Sequence, residues 1–142
     1  MSVDATGYEF FEHTADIGIR AEASTLQALF VAMARGLTEL IAEDSTIRPE
    51  HQRSIELEAP DASTLLLVWL TELLFWFSTE RFLPVEYSLQ HVTATRLQGV
   101  VRGGIFSPAR DVQGREVKAI TRHRLAVEQR NSVWRAEAIV DI

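Results

Sequence analysis

The sequence predicts an α+β fold, two helices packed on a mainly antiparallel β-sheet. Three observations carry that prediction. The apolar periodicities run in the order β-β-α-β-α-β-β-β-β, without the regular βαβ rhythm of a Rossmann-type fold. Two long stretches carry apolar residues at helical rather than alternating spacing. The chain finishes on two alternating segments separated by "QRNS", which reads as a hairpin.

Residues 8–13 and 17–23 read as the first two strands, on either side of a polar interruption in "FFEHTADIGIRAEA". A helix follows over residues 25–42, with Leu26, Leu29, Phe30, Met33, Leu37, Leu40 and Ile41 on one face. Ser24 and Gln27 fit a capping box, in which serine oxygen and glutamine side chain satisfy free backbone groups. Gly36 inside this helix costs about 1 kcal/mol relative to alanine, which points to close packing there. Residues 52–58 alternate through Ile55 and Leu57 as a third strand. The second helix spans residues 62–81, with Asp61 after Pro60 as its N-cap. Its polar stripe is confined to Thr64, Thr71, Glu72, Ser78 and Thr79, and Trp69, Phe75 and Trp76 belong to the apolar remainder. Such a helix is a buried core element or, alternatively, a partner-binding surface. Residues 87–97 alternate, and "GVVRGGIF" follows with glycines that suggest a bend or bulge. "SPARDVQGRE" is a polar loop, and the last strands cover residues 120–128 and 134–141.

Composition narrows the function. With 142 residues, 46% hydrophobic and 24% charged, the chain has the size and balance of one globular domain spanning residues 1–142. A formal net charge of −6 argues against a domain that grips nucleic acid by itself, since phosphate neutralisation supplies most of that affinity. Late arginines (Arg96, Arg102, Arg110, Arg115, Arg122, Arg124, Arg130) leave room for a local basic face. The lack of cysteine removes disulfides, thiolate zinc sites and cysteine nucleophiles together, and suits a reducing cytosol. "MSVDATGYEF" has neither the basic start nor the apolar run of a signal peptide. The apolar stretch 65–77 falls short of the roughly 20 residues that a bilayer requires. A cytoplasmic protein with no membrane association is expected.

Phosphate-binding loops, metalloprotease helices and nucleophile elbows are absent, and the glycines of "GVVRGG" have the wrong spacing for a phosphate cradle. A metal-free acid/base enzyme built on His13, Asp16 and His123 stays open. The oxygen donors say more. Asp16 interrupts the first sheet element, while Asp141 and the carboxyl group of Ile142 close the last. If those strands are neighbours, three anionic groups meet at one sheet end, a donor set for a hard divalent cation. Close carboxylates also raise one another's pKa unless a cation or basic side chain balances them. Taken alone, the residues favour a plainer reading: Asp16 in a turn or cap, Asp141 in a solvated tail. His13 by itself reads as a structural hydrogen bonder, Lys118 as a solvated lysine and His123 as a sheet-face residue. Each could also serve the same site, Lys118 through its charge and His123 through a hydrogen bond or proton.

Three separated segments together resemble the archease family: "EHTADIGIRA", "DASTLLLVWLTELLFWF" and "VKAITRHRLAVEQRNSVWRAEAIVDI". The match runs over nearly the whole chain in the right order, and the terminal "DI" is the most telling part. The resemblance implies an archease-like α+β domain acting as a non-catalytic protein cofactor of RtcB-type RNA ligases. Those ligases join a 2′,3′-cyclic phosphate or 3′-phosphate RNA end to a 5′-hydroxyl end with GTP and manganese. Archeases promote guanylylation of the ligase and its repeated turnover in tRNA splicing and RNA repair, so RNA is met only through the ligase. The resemblance further implies a divalent cation, calcium first and magnesium or manganese as substitutes, held at positions matching Asp16, Asp141 and Ile142. Lys118 matches a basic residue of the late motif that contacts the ligase or its nucleotide, with His13 and His123 as supporting residues. The family's late motif commonly reads K-A-x-T-Y-H, and this chain has Arg122 in place of the aromatic residue. The main alternative is a general protein-binding module of chaperone type, working through the apolar second helix or an exposed sheet face. A small hydrolase is a further rival. Neither the oligomeric state nor the ligase-facing surface follows from the residues.

Overall fold

The computed structural model describes residues 7–13, 16–43 and 46–142, and of Glu12 and His13 the backbone. Among the described residues the elements are β1 (Tyr8–His13), β2 (Asp16–Ala23), α1 (Leu26–Ile41), β3 (His51–Glu58), α2 (Ala62–Glu80), β4 (Phe82–Val92), β5 (Arg96–Ile105), β6 (Ala119–Ile120), β7 (Ala126–Arg130) and β8 (Val133–Asp141). The α+β class and the antiparallel pairing hold, but the strands divide into two sheets where the sequence suggests one. One sheet has the order β1-β2-β8-β6, with β7 also pairing β8; the other has the order β3-β5-β4.

The second helix accounts for this division. Helix α2 is apolar around most of its circumference, so a single sheet would leave much of it in water. It packs on β6 and β7 of the five-stranded sheet and on β3, β4 and β5 of the other. Leu65, Leu66, Trp69, Leu70, Leu73, Trp76 and Phe77 are buried there, each such side chain contributing about 1.5–3 kcal/mol through burial. By length and composition alone, this 19-residue helix would qualify to cross a membrane, which corrects the expectation of an apolar stretch too short to do so. Its apolar side chains instead meet protein. Trp69 is fully buried, donates its indole N–H to the Phe30 carbonyl at 2.9 Å and meets the Tyr87 ring edge-on. Asp61 caps the helix by accepting from the Thr64 amide at 2.8 Å, as its sequence position predicts.

Helix α1 buries the apolar face read from its spacing and packs on β1, β2, β4 and β8. Its N-cap differs from the prediction. Thr25, not Ser24, takes the extended cap conformation, and its hydroxyl accepts from the Ala28 amide at 3.0 Å. Gln27 is thereby freed from the capping box and donates instead to the Leu89 carbonyl of β4. Gly36 is a close-packing glycine as expected: a Cβ there would lie 2.8 Å from Ile19 and 3.2 Å from the Tyr8 ring.

Two strand assignments also change. The bulges expected in the glycine-rich strand lie on its partner: β4 is irregular between Pro84 and Glu86 and between Leu89 and His91. The glycines of β5 face them, and a Cβ at Gly103 would fall 2.0 Å from the Leu83 carbonyl oxygen. The strand predicted over residues 120–128 is broken by a turn in which Arg124 has φ of 55°, so β6 and β7 flank β8 as separate pieces. The final hairpin turns through Asn131 and Ser132, both with positive φ, as a tight two-residue connection requires.

Candidate metal centre

Alternation along β2 sends Ile19, Ala21 and Ala23 into the core, where α1 packs, and leaves Asp16, Gly18, Arg20 and Glu22 on the opposite face. Along β8, Ala136, Ala138 and Val140 are the corresponding buried positions, with Arg135, Glu137, Ile139 and Asp141 on the other side. The strands pair antiparallel from Ala23↔Trp134 to Ile17↔Val140. One step further, Asp16 at the start of β2 faces Asp141 at the end of β8, both half-buried. The register therefore brings two aspartate positions that the sequence places 125 residues apart to one end of the sheet.

The charge pattern on this face distinguishes them. Arg20 pairs with Glu9 at 3.4 Å and Glu137 at 3.3 Å, Arg124 reaches Glu137 at 3.1 Å, and Arg135 bonds Glu22. Among the described residues, Asp16 and Asp141 have no such basic partner. Like charges on directly facing positions destabilise a strand pair, and a cation is one means of balancing them.

Strand β6 supplies the third side. Ala119 is aligned with Asp141, and the Lys118 amide donates to the Asp141 carbonyl at 2.8 Å. Lys118 thus reaches the same sheet end through its backbone, with an exposed side chain. His123 follows β6 in the chain. It lies in the exposed turn after β6, where its amide donates to the Thr121 hydroxyl at 3.3 Å, and Thr121 is level with Ile139. His13 is paired with Asp16 across the β1–β2 hairpin, which brings its backbone to the site; its side chain lies outside the described residues, as does Thr14. Arg122 lies on the α2 side. The Asp61 carboxyl sits below its ordinary range chiefly through the Thr64 amide, with Arg122 adding a smaller electrostatic contribution.

One contact beside the acidic pair is missing from the sequence reading. The Phe11 ring lies over Gly18, where a Cβ would come within 2.1 Å of it, and the Arg20 guanidinium stacks 4.0 Å above that ring. Ile139, paired with Gly18, is fully buried. The signal was the glycine itself, but its aromatic partner is fixed only by the Phe11↔Gly18 register.

Among the described residues no group of three His, Cys, Asp or Glu side chains gathers as a metal cluster. The donors at the sheet end are two carboxylates, with the main-chain oxygen of Ile142 next in line. That set fits a hard cation, because calcium readily takes main-chain oxygens and water beside one or two carboxylates. It does not fit a structural zinc site, which takes four protein ligands, mostly sulfur or nitrogen.

Two antiparallel sheets around two helices, with an acidic pair where β2 and β8 end together, define an archease-type α+β protein. The chain belongs to the archease family: the profile of the archease protein family (MTH1598/TM1083) matches residues 8–142. It is 34% identical over 139 residues to the protein archease of Pyrobaculum neutrophilum, covering 95% of each chain. It is 35% identical over 137 residues to that of Archaeoglobus fulgidus, covering 95% of this chain and 98% of the relative. The solution structure of Methanobacterium thermoautotrophicum protein 1598 superposes with a TM-score of 0.81 at 28% identity, over 96% of this chain and 99% of that one. A Thermotoga maritima archease, described as a possible chaperone, shares the fold with a TM-score of 0.60 at 16% identity, over 93% and 94% of the two chains.

Proposed function

We propose that this archease holds a divalent cation, calcium before magnesium or manganese, with Asp16, Asp141 and a main-chain oxygen of Ile142. In this reading it is a non-catalytic cytoplasmic cofactor that activates an RtcB-type RNA ligase for guanylylation and repeated turnover, in tRNA splicing or RNA repair. The observation that carries the metal site is the β2–β8 register, which runs to Ile17↔Val140 and so sets the Asp16 position level with Asp141, neither with a basic partner among the described residues. The ligase as partner rests on membership of the family and on the three motifs that the chain shares with it.

When bound, the cation would neutralise the carboxylate pair and offer its remaining coordination positions to oxygen ligands of the ligase or its nucleotide. The chain's own residues do the positioning. Asp16 and Asp141 sit on paired strands, so their separation is set by the sheet rather than by a loop. The Lys118 amide fixes the Asp141 backbone, and its side chain is exposed for contact with the ligase or its nucleotide. The net acidic surface favours encounter with a basic, RNA-binding enzyme without holding RNA itself.

The chaperone-type alternative loses its first surface, because most of the apolar face of α2 is buried and Phe75, 56% exposed, is its outlying member. Multiple-turnover joining of a cyclic-phosphate RNA by the cognate ligase tests the proposal, with wild type and Asp16→Ala compared. Faster turnover with wild type, lost in Asp16→Ala, supports it. No stimulation by folded, calcium-supplied wild type overturns the ligase role, and equal stimulation by both proteins removes Asp16 from it.

A further inference from the structure

Strand β1 is the outer strand of the five-stranded sheet and β4 an outer strand of the three-stranded one, and both pack on α1. A recess of about 250 Å³ opens where they meet, lined among others by Tyr8, Arg35, Thr38, Glu39, Pro84 and Tyr87. It is separate from the Asp16–Asp141 sheet end, sharing none of its residues.

Two polar atoms in this recess are buried without a hydrogen-bond partner: Arg35 Nε and the Tyr87 hydroxyl. The Arg35 guanidinium lies over the Tyr87 ring, its carbon 5.3 Å from the ring centre. Thr38 Oγ1, close enough to the phenol to influence its acidity, donates to the Arg35 carbonyl at 3.0 Å and does not complete a hydrogen bond with Tyr87. Among the described residues Arg35 forms no salt bridge, and Glu39, one helical turn on, does not pair with it. Burial pushes the Tyr87 phenol well above its ordinary value, which keeps it protonated and a donor. Leaving a buried donor unsatisfied costs about 1–3 kcal/mol, and native folds rarely leave two together without a ligand or water to complete them.

We propose that this recess is a binding site for a small oxyanion, a carboxylate or phosphate group that accepts hydrogen bonds from Arg35 and Tyr87. A guanidinium fixed beside a phenol offers directional donors and a permanent positive charge, the chemistry that oxyanions complete. The size agrees. Pockets for drug-sized ligands run to about 300–1,000 Å³, so a smaller, open recess suits one compact anionic group better than a nucleotide. An added peptide strand is a poorer occupant of this edge. Pro84 lacks an N–H and β4 is bulged directly after it, both of which disrupt the ladder that strand addition requires.

Titration of the isotope-labelled protein with inorganic phosphate and with acetate, followed by the backbone amide shifts of Arg35, Thr38 and Tyr87, tests this site. Saturable shifts at these residues with either anion support it, and the tighter one identifies the source of the oxyanion. Arg35→Gln is expected to weaken that binding roughly tenfold and Tyr87→Phe roughly threefold, each relative to a wild type of matched melting temperature. Tyr87→Phe removes one oxygen and keeps the ring, so it remains informative if Arg35→Gln is poorly folded. Linear shifts that never saturate with either anion, or unchanged affinity in Tyr87→Phe and in a folded Arg35→Gln, overturn the proposal.

Discussion

The Lys118 amide donates to the Asp141 carbonyl at 2.8 Å, which ties the last residues of β8 to β6 just where Asp141 faces Asp16 of β2. Asp141 is thereby held from both sides. A carboxylate on a loose tail would be free to swing away; here the backbone of Asp141 is fixed on β8 beside the strand that carries Asp16.

The proposed acidic pair has a measurable consequence in the metal-free protein. Like charges directly opposite each other destabilise a strand pair by about 0.2–1 kcal/mol. In the presence of a chelator, Asp16→Asn is therefore expected to melt slightly above wild type. Adding calcium should reverse the order by raising the wild-type melting temperature and leaving the variant near its starting point. A thermal scan of both proteins with and without calcium checks this.

Gly18→Ala should reach the same site through packing. Its Cβ would fall 2.1 to 2.4 Å from three atoms of the Phe11 ring, so the ring must move. The expected loss is about 1–3 kcal/mol, typical of overpacking. Chemical denaturation gives the stability change, and Phe11→Ala in the Gly18→Ala background should lose less than the two single effects summed.

The two candidate caps of α1 separate cleanly. Thr25→Ala removes the hydroxyl that accepts from Ala28 and should cost about 1 kcal/mol, whereas Ser24→Ala should be nearly neutral. Equal effects in urea denaturation would return the cap to Ser24.

Asp111 organises the loop after β5. It is 6% exposed and accepts from the Arg110 side chain, the Ser107 amide and the Thr46 amide. Those bonds, the Arg110 side chain first, lower its pKa from the ordinary 3.8 to about 2. Folding thus favours the ionised form, and its contribution is complete above the ordinary value and lost as pH falls from about 4 toward 2. Asp111→Asn should melt several degrees below wild type at neutral pH, with the gap closing over that acid range. A constant gap would assign the loss to something other than ionisation.

Local patterns were legible in the sequence because they depend on near neighbours. The apolar face of α1, the Asp61 cap, the β1–β2 hairpin around its polar interruption and the terminal hairpin all follow from spacing and turn chemistry. The three-stranded sheet was not: β3 pairs with β5 across the whole of α2, and the β4–β5 hairpin turns at residues 93–95, inside the stretch 87–97 that alternation reads as one strand. The break between β6 and β7 was hidden for a related reason: Leu125 and Val127 continue an apolar pattern across a turn that only pairing with β8 defines. Asp111 gave no sign in a polar loop, since two of its partners are backbone amides, one of them at Thr46 far away in the chain. For the candidate site, the residue types suggested oxygen donors, but whether Asp16 met Asp141 depended on a register that alternation cannot fix. A shift of one residue would have sent the two side chains to opposite faces.

Calcium titration by calorimetry, comparing wild type with Asp16→Asn and Asp141→Asn, tests the shared cation most directly. One saturable site is predicted for wild type, weakened roughly tenfold or more in each variant, since each removes one of two carboxylates from a hard-cation site. Wild-type affinity retained in either folded variant would contradict the assignment of that carboxylate and dissolve the pair on which the account rests.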